Sequence, residues 1–261
     1  MLGSPIWRNC FGMWPMRSEI PEFVQRFNQV IEDCEHLCSI ARDSDLQRDA
    51  SGKLEREIAE VIEEKNHAIK DGNENYANCL LGCEYAARAI LAELRMWLLL
   101  KREEPEAAWD QLINAQHALC AAMRAHVGFS HLVEPLKRLS IIEDVVFPPQ
   151  IFSSAGLIAG ALRCSVCGED YEECPHLAGK PYMGRFCAMI AENIELDHVA
   201  IVDRPADKRC RTVSFETNGG VRNRMTWRLE PKVLPQSAET EAETRVVEGG
   251  LRATSIIMRA D

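Results

Sequence analysis

Apolar residues recur every three to four positions through most of the first 147 residues, which is the spacing of amphipathic helices. The clearest case is 75–102, where one face carries Leu80, Ala87, Leu91, Leu94 and Leu98. Ser44 and Asp45 interrupt the pattern and predict a break between helices. The sequence therefore predicts a bundle of about five helices, over residues 21–41, 51–70, 75–102, 105–126 and 132–145.

Two of these helices are predicted to form an antiparallel pair. Lys101 and Arg102 suit the C-terminal end of a helix dipole, and Pro105 suits the first turn of the next helix. A turn this short brings consecutive helices side by side. We therefore expect a shared core made of Leu91, Leu94, Leu98, Leu112 and Leu119.

The pattern changes after Pro148 and Pro149. Residues 150–162 are small and apolar, and no element is predicted there. Residues 198–203 have the composition of a short strand, and 211–216 and 221–229 alternate apolar and polar residues around Asn218-Gly219-Gly220. That turn sequence is a strong signal for a β-hairpin.

These patterns predict an α+β protein. An irregular segment over 1–18 precedes a helical bundle over 19–147, and a zinc-stapled α+β module with a β-hairpin covers 148–230. Residues 231–261 are predicted to be a flexible tail, because 231–244 are rich in Pro, Glu, Ala, Ser and Thr. Within this tail, 254–258 have the pattern of an edge strand or a partner-binding segment.

Composition and charge narrow the classes of function. The formal net charge of −10 argues against a protein that coats nucleic acid over its whole surface. The longest strongly apolar run, 96–100, is too short to cross a bilayer, so no membrane partner is expected. An odd number of cysteines, 11, and no convincing secretory leader favour a reducing cytoplasm. No small-molecule substrate is evident.

Four of the cysteines lie within 24 residues, beside a histidine. Cys164 and Cys167 form a Cys-x-x-Cys-Gly pair, in which two thiolates reach one ion and the glycine lets the chain turn. Cys174, His176 and Cys187 are three further donors for the two positions that remain on a tetrahedral ion. We therefore expect one structural Zn²⁺, with one spare donor. A redox role for the Cys-x-x-Cys pair is the alternative, although no βαβ pattern surrounds it.

A catalytic metal would need an open coordination position and a general base beside it. The sequence contains no His-Glu-x-x-His or His-x-Glu signature. Non-enzymatic function is therefore favoured, and no catalytic residue is assigned.

A basic stretch follows the cysteine cluster. Residues 204–228 carry seven Lys and Arg side chains against two acidic ones. Basic and aromatic residues on a small sheet suit single-stranded nucleic acid, through phosphate contacts and base stacking. The simpler interpretation is a solvated hairpin face that pairs with acidic protein surface. The residues that would contact nucleic acid are Arg209, Arg211, Arg222, Arg224, Trp227 and Arg228.

The segment His198-Val-Ala-Ile-Val-Asp-Arg-Pro-Ala-Asp207 resembles a strand and turn of bacteriophage prohead (capsid maturation) proteases. The resemblance covers ten residues and implies a phage or bacterial origin and a β-rich C-terminal fold. It carries over no catalytic serine or histidine, and the helical N-terminal half departs from that family.

Three hypotheses about function follow from the sequence. The first is a non-enzymatic interaction subunit of a larger bacterial or phage assembly, with other protein subunits as partners. The second is a nucleic-acid-binding module that uses the basic hairpin over 204–228. The third is a protease related to the prohead enzymes.

Overall fold

The computed structural model describes residues 22–230 and 251–253. The irregular segment predicted over 1–18 lies outside the described residues. So do the flexible region predicted over 231–244 and the strand predicted over 254–258. Within the described residues, helices and small antiparallel sheets confirm the α+β fold class.

Five α-helices make up about half of the described chain. They are α1 (Glu22–Glu35), α2 (Ser44–Lys70), α3 (Glu74–Lys101), α4 (Pro105–Ala125) and α5 (Val133–Val146), with a 3-10 helix (Val127–Leu132) before α5. The predicted helices over 75–102, 105–126 and 132–145 agree with α3, α4 and α5 to within two residues.

The first two predicted helices had the wrong bounds. The first ends at Glu35, six residues before the predicted end. The second begins at Ser44, where a break was predicted. The reason is the side chain of Asp43, which accepts hydrogen bonds from the backbone N–H groups of Asp45 and Leu46. This carboxylate caps the helix, so the polar residues after it form the first turn of α2 and not a loop.

The core of the helical region lies along α3, which packs against α2 and α4. The five leucines predicted for the α3–α4 core are all buried. A charge pair also reaches from the buried Glu93 of α3 to the half-buried Arg138 of α5. The guanidinium of Arg138 donates through both terminal nitrogens to the Glu93 carboxylate, each at 2.6 Å.

The strands form three small sheets. Strands β1 (Phe152–Cys164) and β4 (Met189–Val202) form a two-stranded ribbon, and β2 (Pro181–Tyr182) pairs with β3 (Arg185–Phe186). The third sheet has the order β7-β6-β5-β8, built from β5 (Thr212–Thr217), β6 (Gly220–Asn223), β7 (Leu229–Glu230) and β8 (Leu251–Ala253). Gly156 lies against His198 and Gly160 against Asn193, so β1 and β4 run antiparallel.

The predicted hairpin is confirmed, since Thr217 pairs with Gly220 across the turn. The strand predicted over 221–229 is wrong in its length, because β6 ends at Asn223 and a loop precedes β7. No element was predicted over 150–162, where the structure has β1. The strand predicted over 198–203 is the last part of the much longer β4.

The described residues divide into two compact units. One contains 22–143 with 159–194, and the other contains 144–158 with 195–230 and 251–253. The cysteine cluster thus belongs to the same unit as the helices, whereas the basic hairpin belongs to the other. The predicted domain bounds at 147 and 230 stay predictions. Among the described residues, no helix is both long enough and apolar enough to cross a bilayer.

Candidate metal centre

The centre begins where β1 ends, at Cys164. The carbonyl of Cys164 accepts from the Gly168 N–H at 2.8 Å, and its own N–H donates to the Glu169 carbonyl at 2.9 Å. These bonds fold 164–169 into a tight turn that holds Cys164 and Cys167 near each other. Gly168 has φ +76°, a conformation that glycine adopts without the steric cost a side chain would bring.

The structure brings four of the five predicted donors together. The ligand atoms of Cys164, Cys167, Cys174 and His176 all lie within 4.8 Å of one another. Cys174 and His176 come from the segment that follows the turn, and both are half-buried. Three thiols and one imidazole at this separation can hold a metal ion.

The fifth predicted donor, Cys187, lies beside this group. Its sulfur is 3.7 Å from the sulfur of Cys164, and the residue is buried. Two backbone hydrogen bonds fix its position, because its N–H donates to the Lys180 carbonyl and its carbonyl accepts from the Gly179 N–H. Cys187 follows β3 directly, so the β2–β3 hairpin positions it.

One atom of the cluster fits a metal ligand especially well. The Nδ1 atom of His176 is buried and has no hydrogen-bond partner. A buried polar atom without a partner is costly, and such groups are rare in folded proteins. Coordination of a metal ion by Nδ1 would remove that cost. The donor set is that of structural zinc sites, in which thiolates and imidazoles fill a tetrahedron.

The thiols of the cluster differ in acidity. Burial acts to raise the pKa of the Cys164 thiol, but hydrogen bonds from the backbone N–H groups of Cys167 and Val166 and from neighbouring thiols lower it to about 6. Burial raises the pKa of the Cys174 thiol to about 11. Burial and the nearby Cys164 raise that of Cys187. The backbone turn thus favours the thiolate form of Cys164, the form that binds metal.

The β2–β3 hairpin joins the cluster to the helices of the same unit. Its turn residues, Met183 and Gly184, donate their backbone N–H groups to α3. The Met183 N–H reaches the Glu74 carboxylate at 3.3 Å, and the Gly184 N–H reaches the Asn78 side-chain oxygen at 2.8 Å. The hairpin therefore rests on the first turns of α3.

An aromatic contact continues this junction at Phe186. The Phe186 ring lies 5.6 Å from the Tyr85 ring of α3, centroid to centroid, and the Arg124 guanidinium of α4 lies 5.3 Å from the Phe186 centroid. Sequence reasoning missed Asn78, Tyr85 and Arg124. A lone polar or aromatic side chain on a helix gives no local signal of a contact with a segment far along the chain.

The residues predicted to bind nucleic acid lie in the other unit, and they range from buried to exposed. Arg211 is buried, and its guanidinium lies 3.4 Å from the Gln150 side-chain oxygen. Arg209 forms an ion pair with Asp207. Arg224 donates to the Pro149 carbonyl at 3.1 Å, and Arg222 donates to the Trp227 carbonyl at 2.8 Å. Arg228 and Trp227 are exposed.

The segment that resembles prohead proteases lies at the end of β4. His198 is exposed and pairs with the adjacent Asp197, with 2.9 Å between its Nδ1 and the carboxylate. The relation to that family stays a prediction. The chain matches no protein-family model, no curated protein and no solved structure.

Proposed function

We propose that the protein is a non-enzymatic interaction subunit of a larger bacterial or phage assembly, stabilised by one structural zinc ion. The observation that carries this proposal is the cluster of Cys164, Cys167, Cys174 and His176, whose ligand atoms lie within 4.8 Å of one another. Protein donors alone are enough to fill a tetrahedral ion, which leaves no position for a substrate or a reactive water.

The role of the ion in this proposal is to cross-link segments that have little apolar core of their own. It joins the end of β1 to the 174–176 segment beside the β2–β3 hairpin, and the hairpin is bonded to α3 through Asn78. In favourable structural sites, zinc binding contributes about 10 kcal/mol or more to folding. The metal thereby holds the C-terminal end of β1 and the N-terminal end of β4 on the helices.

The surface proposed to bind partners is the distal ribbon, defined here as 152–158 of β1 with 195–202 of β4. It exposes Leu196, Val199 and Ile201, at 62%, 58% and 72% of their surface. A two-stranded ribbon is marginally stable in water, and exposed aliphatic side chains on its strands are typical of sites where another chain binds. The distal ribbon therefore suits contact with another protein subunit.

Cobalt substitution tests whether the metal is structural. Co²⁺ bound by protein donors alone should give the absorption bands of a tetrahedral thiolate complex, and these bands should not change when azide or cyanide is added. An open catalytic position would accept the added anion and shift the bands. Such a shift, or a protein that binds no metal, would contradict the proposal.

The partner surface is tested by a charge substitution on the distal ribbon. Val199→Lys with Ile201→Lys should abolish co-purification of partner subunits from the cells in which the gene is naturally expressed. Leu46→Lys with Leu177→Lys is the matched control, because both residues are exposed aliphatics outside the ribbon. Equal co-purification by both variants would show that the partner binds elsewhere.

A second candidate function, nucleic-acid binding, is favoured by the conformation of Trp227. This residue is 57% exposed and has φ +57°, a backbone region that bulky residues rarely adopt. The Asn223 side chain holds the loop by accepting from the N–H groups of Met225 and Thr226. An exposed tryptophan held beside Arg222 suits base stacking and phosphate contact.

Trp227→Ala tests this second candidate in a titration with single-stranded oligonucleotides. Stacking on one aromatic ring contributes about 1–3 kcal/mol, so affinity should fall roughly five- to 150-fold. Arg228→Ala should flatten the dependence of affinity on salt, since one phosphate contact fewer releases fewer counterions. Leu229→Ala, next along the chain, is the control. The candidate fails if the wild-type protein binds no oligonucleotide at low salt.

A further inference from the structure

The distal ribbon starts on the edge of β5 that also carries β8. The Val213 carbonyl accepts from the Arg224 N–H, on the side where β6 lies. Successive residues of a strand direct their backbone groups to opposite edges, so those of Thr212 point to the side of β8. The Thr212 N–H donates to the Ile151 carbonyl at 2.8 Å. The chain that enters β1 therefore lies on the same edge of β5 as β8.

This arrangement fixes where the last residues of the chain begin. Ala253, at the end of β8, pairs with Thr212, and Phe152, at the start of β1, bridges to Arg211. Both pairings are antiparallel, so β8 and β1 follow one another along this edge in the same direction. Because β1 occupies the next position, the chain after Ala253 starts beside the first residue of the distal ribbon.

One face of the distal ribbon exposes three aliphatic side chains. A Cβ atom on Gly156 would meet the ring of His198, so these two positions share a face. Side chains alternate between the faces of a strand, which places Leu157, Val199 and Ile201 together on the other face. All three are exposed. We call this side of the ribbon the aliphatic face.

The C-terminal segment has the length and the chemistry to cover this face. The residues after Ala253 are Thr-Ser-Ile-Ile-Met-Arg-Ala-Asp. Eight extended residues reach about 26 Å at about 3.3 Å per residue, whereas 152–158 of β1 span about 20 Å at the same rise. Ile256, Ile257 and Met258 are three consecutive apolar residues. The segment can therefore follow the whole ribbon and bury apolar surface against it.

Charge complements the same placement. Asp197 is exposed and alternates onto the aliphatic face with Val199, across the ribbon from Leu157. Arg259 is the only basic residue of 254–261. An extended segment that runs in step with β1 from its first residue brings Arg259 level with Leu157. It thereby comes within reach of Asp197, and opposite charges on neighbouring strands attract.

We propose that 254–258 cover the aliphatic face of the distal ribbon in the free protein, and that a partner subunit displaces them when it binds. The second part rests on the proposed function, since the distal ribbon is the surface assigned to the partner. The cover keeps the exposed aliphatic side chains from non-specific association. It also raises the apparent dissociation constant of the partner, because only molecules with an uncovered ribbon can bind.

Photo-cross-linking in the full-length protein locates the segment. Benzoylphenylalanine is placed at position 257, and the peptides joined after irradiation are identified by mass spectrometry. Links should form within one molecule, to peptides that contain 152–158 or 195–202, and Val199→Lys with Ile201→Lys should abolish them. Links between two molecules would show that a second copy covers the ribbon. That result, or no link from 257 to the ribbon, would overturn the proposal.

The fluorescence of 8-anilinonaphthalene-1-sulfonate reports exposed apolar surface and gives an independent measurement. Ile257→Asp should increase it, because the aliphatic face becomes accessible to the dye. Val247→Asp makes a similar change before β8 and should leave the fluorescence at the wild-type level. Adding Val199→Lys and Ile201→Lys to Ile257→Asp should cancel the increase. No increase, or an increase that persists with both lysines, would overturn the proposal.

Failure of the cover and failure of the proposed function give different results. The cover alone is wrong if position 257 does not cross-link to the ribbon while Val199→Lys with Ile201→Lys still abolishes co-purification of partner subunits. The partner surface alone is wrong if the cross-link forms and those lysines leave co-purification unchanged.

Discussion

Glu57 of α2 is a carboxylate in an environment that disfavours its charge. It is only 6% exposed, and its Oε1 atom is buried without a hydrogen-bond partner. Burial raises the pKa of this carboxyl, and the attraction of Arg26 offsets only part of the effect. The ionised form is therefore less stable in the folded protein than in the unfolded chain.

The raised pKa of Glu57 predicts a pH-dependent effect of Glu57→Gln. The wild-type glutamate contributes stability below its unfolded pKa, of about 4.3, and loses it as the pH rises through the higher folded pKa. Glu57→Gln should thus raise the melting temperature at neutral pH, with a smaller gain near pH 4. Glu63→Gln, at an exposed position of α2, is the control. A variant less stable than wild type at both pH values would contradict this account of Glu57.

Asn78 makes one hydrogen bond between α3 and the β2–β3 hairpin that a substitution can remove. Its side-chain oxygen accepts from the Gly184 N–H of the buried hairpin turn. Asn78→Ala should leave that N–H unsatisfied, at a cost of about 1–3 kcal/mol. We expect zinc to pass to a chelator faster in this variant, while the helical circular dichroism stays unchanged. Asn75→Ala, on the exposed first turn of α3, should release zinc at the wild-type rate.

The residues of the metal centre were unequally predictable. Cys164 and Cys167 could be assigned because their spacing and the following glycine specify a turn by themselves. The choice among Cys174, His176 and Cys187 could not be made, because it depends on which side chains the fold brings together. The structure places the ligand atoms of Cys174 and His176 with those of Cys164 and Cys167. Asn78 gave no signal, since its partner lies 106 residues further along the chain.

At the scale of elements, α3 and α4 provide the main apolar contact of the helical region. Leu94 of α3 is completely buried. Leu94→Ala should leave a cavity and lower the free energy of unfolding by about 2–5 kcal/mol. Chemical denaturation followed by circular dichroism measures this loss. Leu46→Ala is the control on the exposed face of α2. An unchanged stability for Leu94→Ala would show that this face is not part of the core.

The helices could be predicted from their apolar repeat, whereas β1 could not, because it lacks the alternation of buried and exposed residues that marks a strand. α3 and α4 repeat apolar residues at helical spacing over many turns, so a few exceptions do not hide the period. β1 contains Ser153, Ser154, Ala155 and four glycines or alanines that follow, and none of its residues before Cys164 is buried. A strand without a buried face does not alternate. Its pairing with β4 defines it, and that partner lies beyond the cysteine cluster.

At the scale of the whole molecule, the two compact units do not follow the order of the sequence. Residues 159–194 join the helices, although 144–158 intervene and belong to the other unit. Hydrophobic periodicity describes neighbours along the chain. It therefore carries no information about a later segment, such as 159–194, that packs with the earlier helices. The contacts between the returning segment and the helices include those at Asn78, Tyr85 and Arg124.

The proposed metal explains how so small a segment keeps its structure. The segment 164–187 forms few regular hydrogen bonds, and its only strand pair is the two-residue match of β2 with β3. Cross-linking by one ion replaces the apolar core that such a segment lacks. The helices have a large apolar core of their own and should not depend on the ion.

Hydrogen–deuterium exchange with and without a strong chelator tests this dependence most directly. With zinc bound, the N–H groups of Gly168, Gly184 and Cys187, all hydrogen-bonded, should exchange slowly. After chelation these amides should exchange rapidly, while those of α3 and α4 keep their protection. Unchanged exchange in 164–187 after complete removal of the metal, or a protein that carries no metal as purified, would contradict the account.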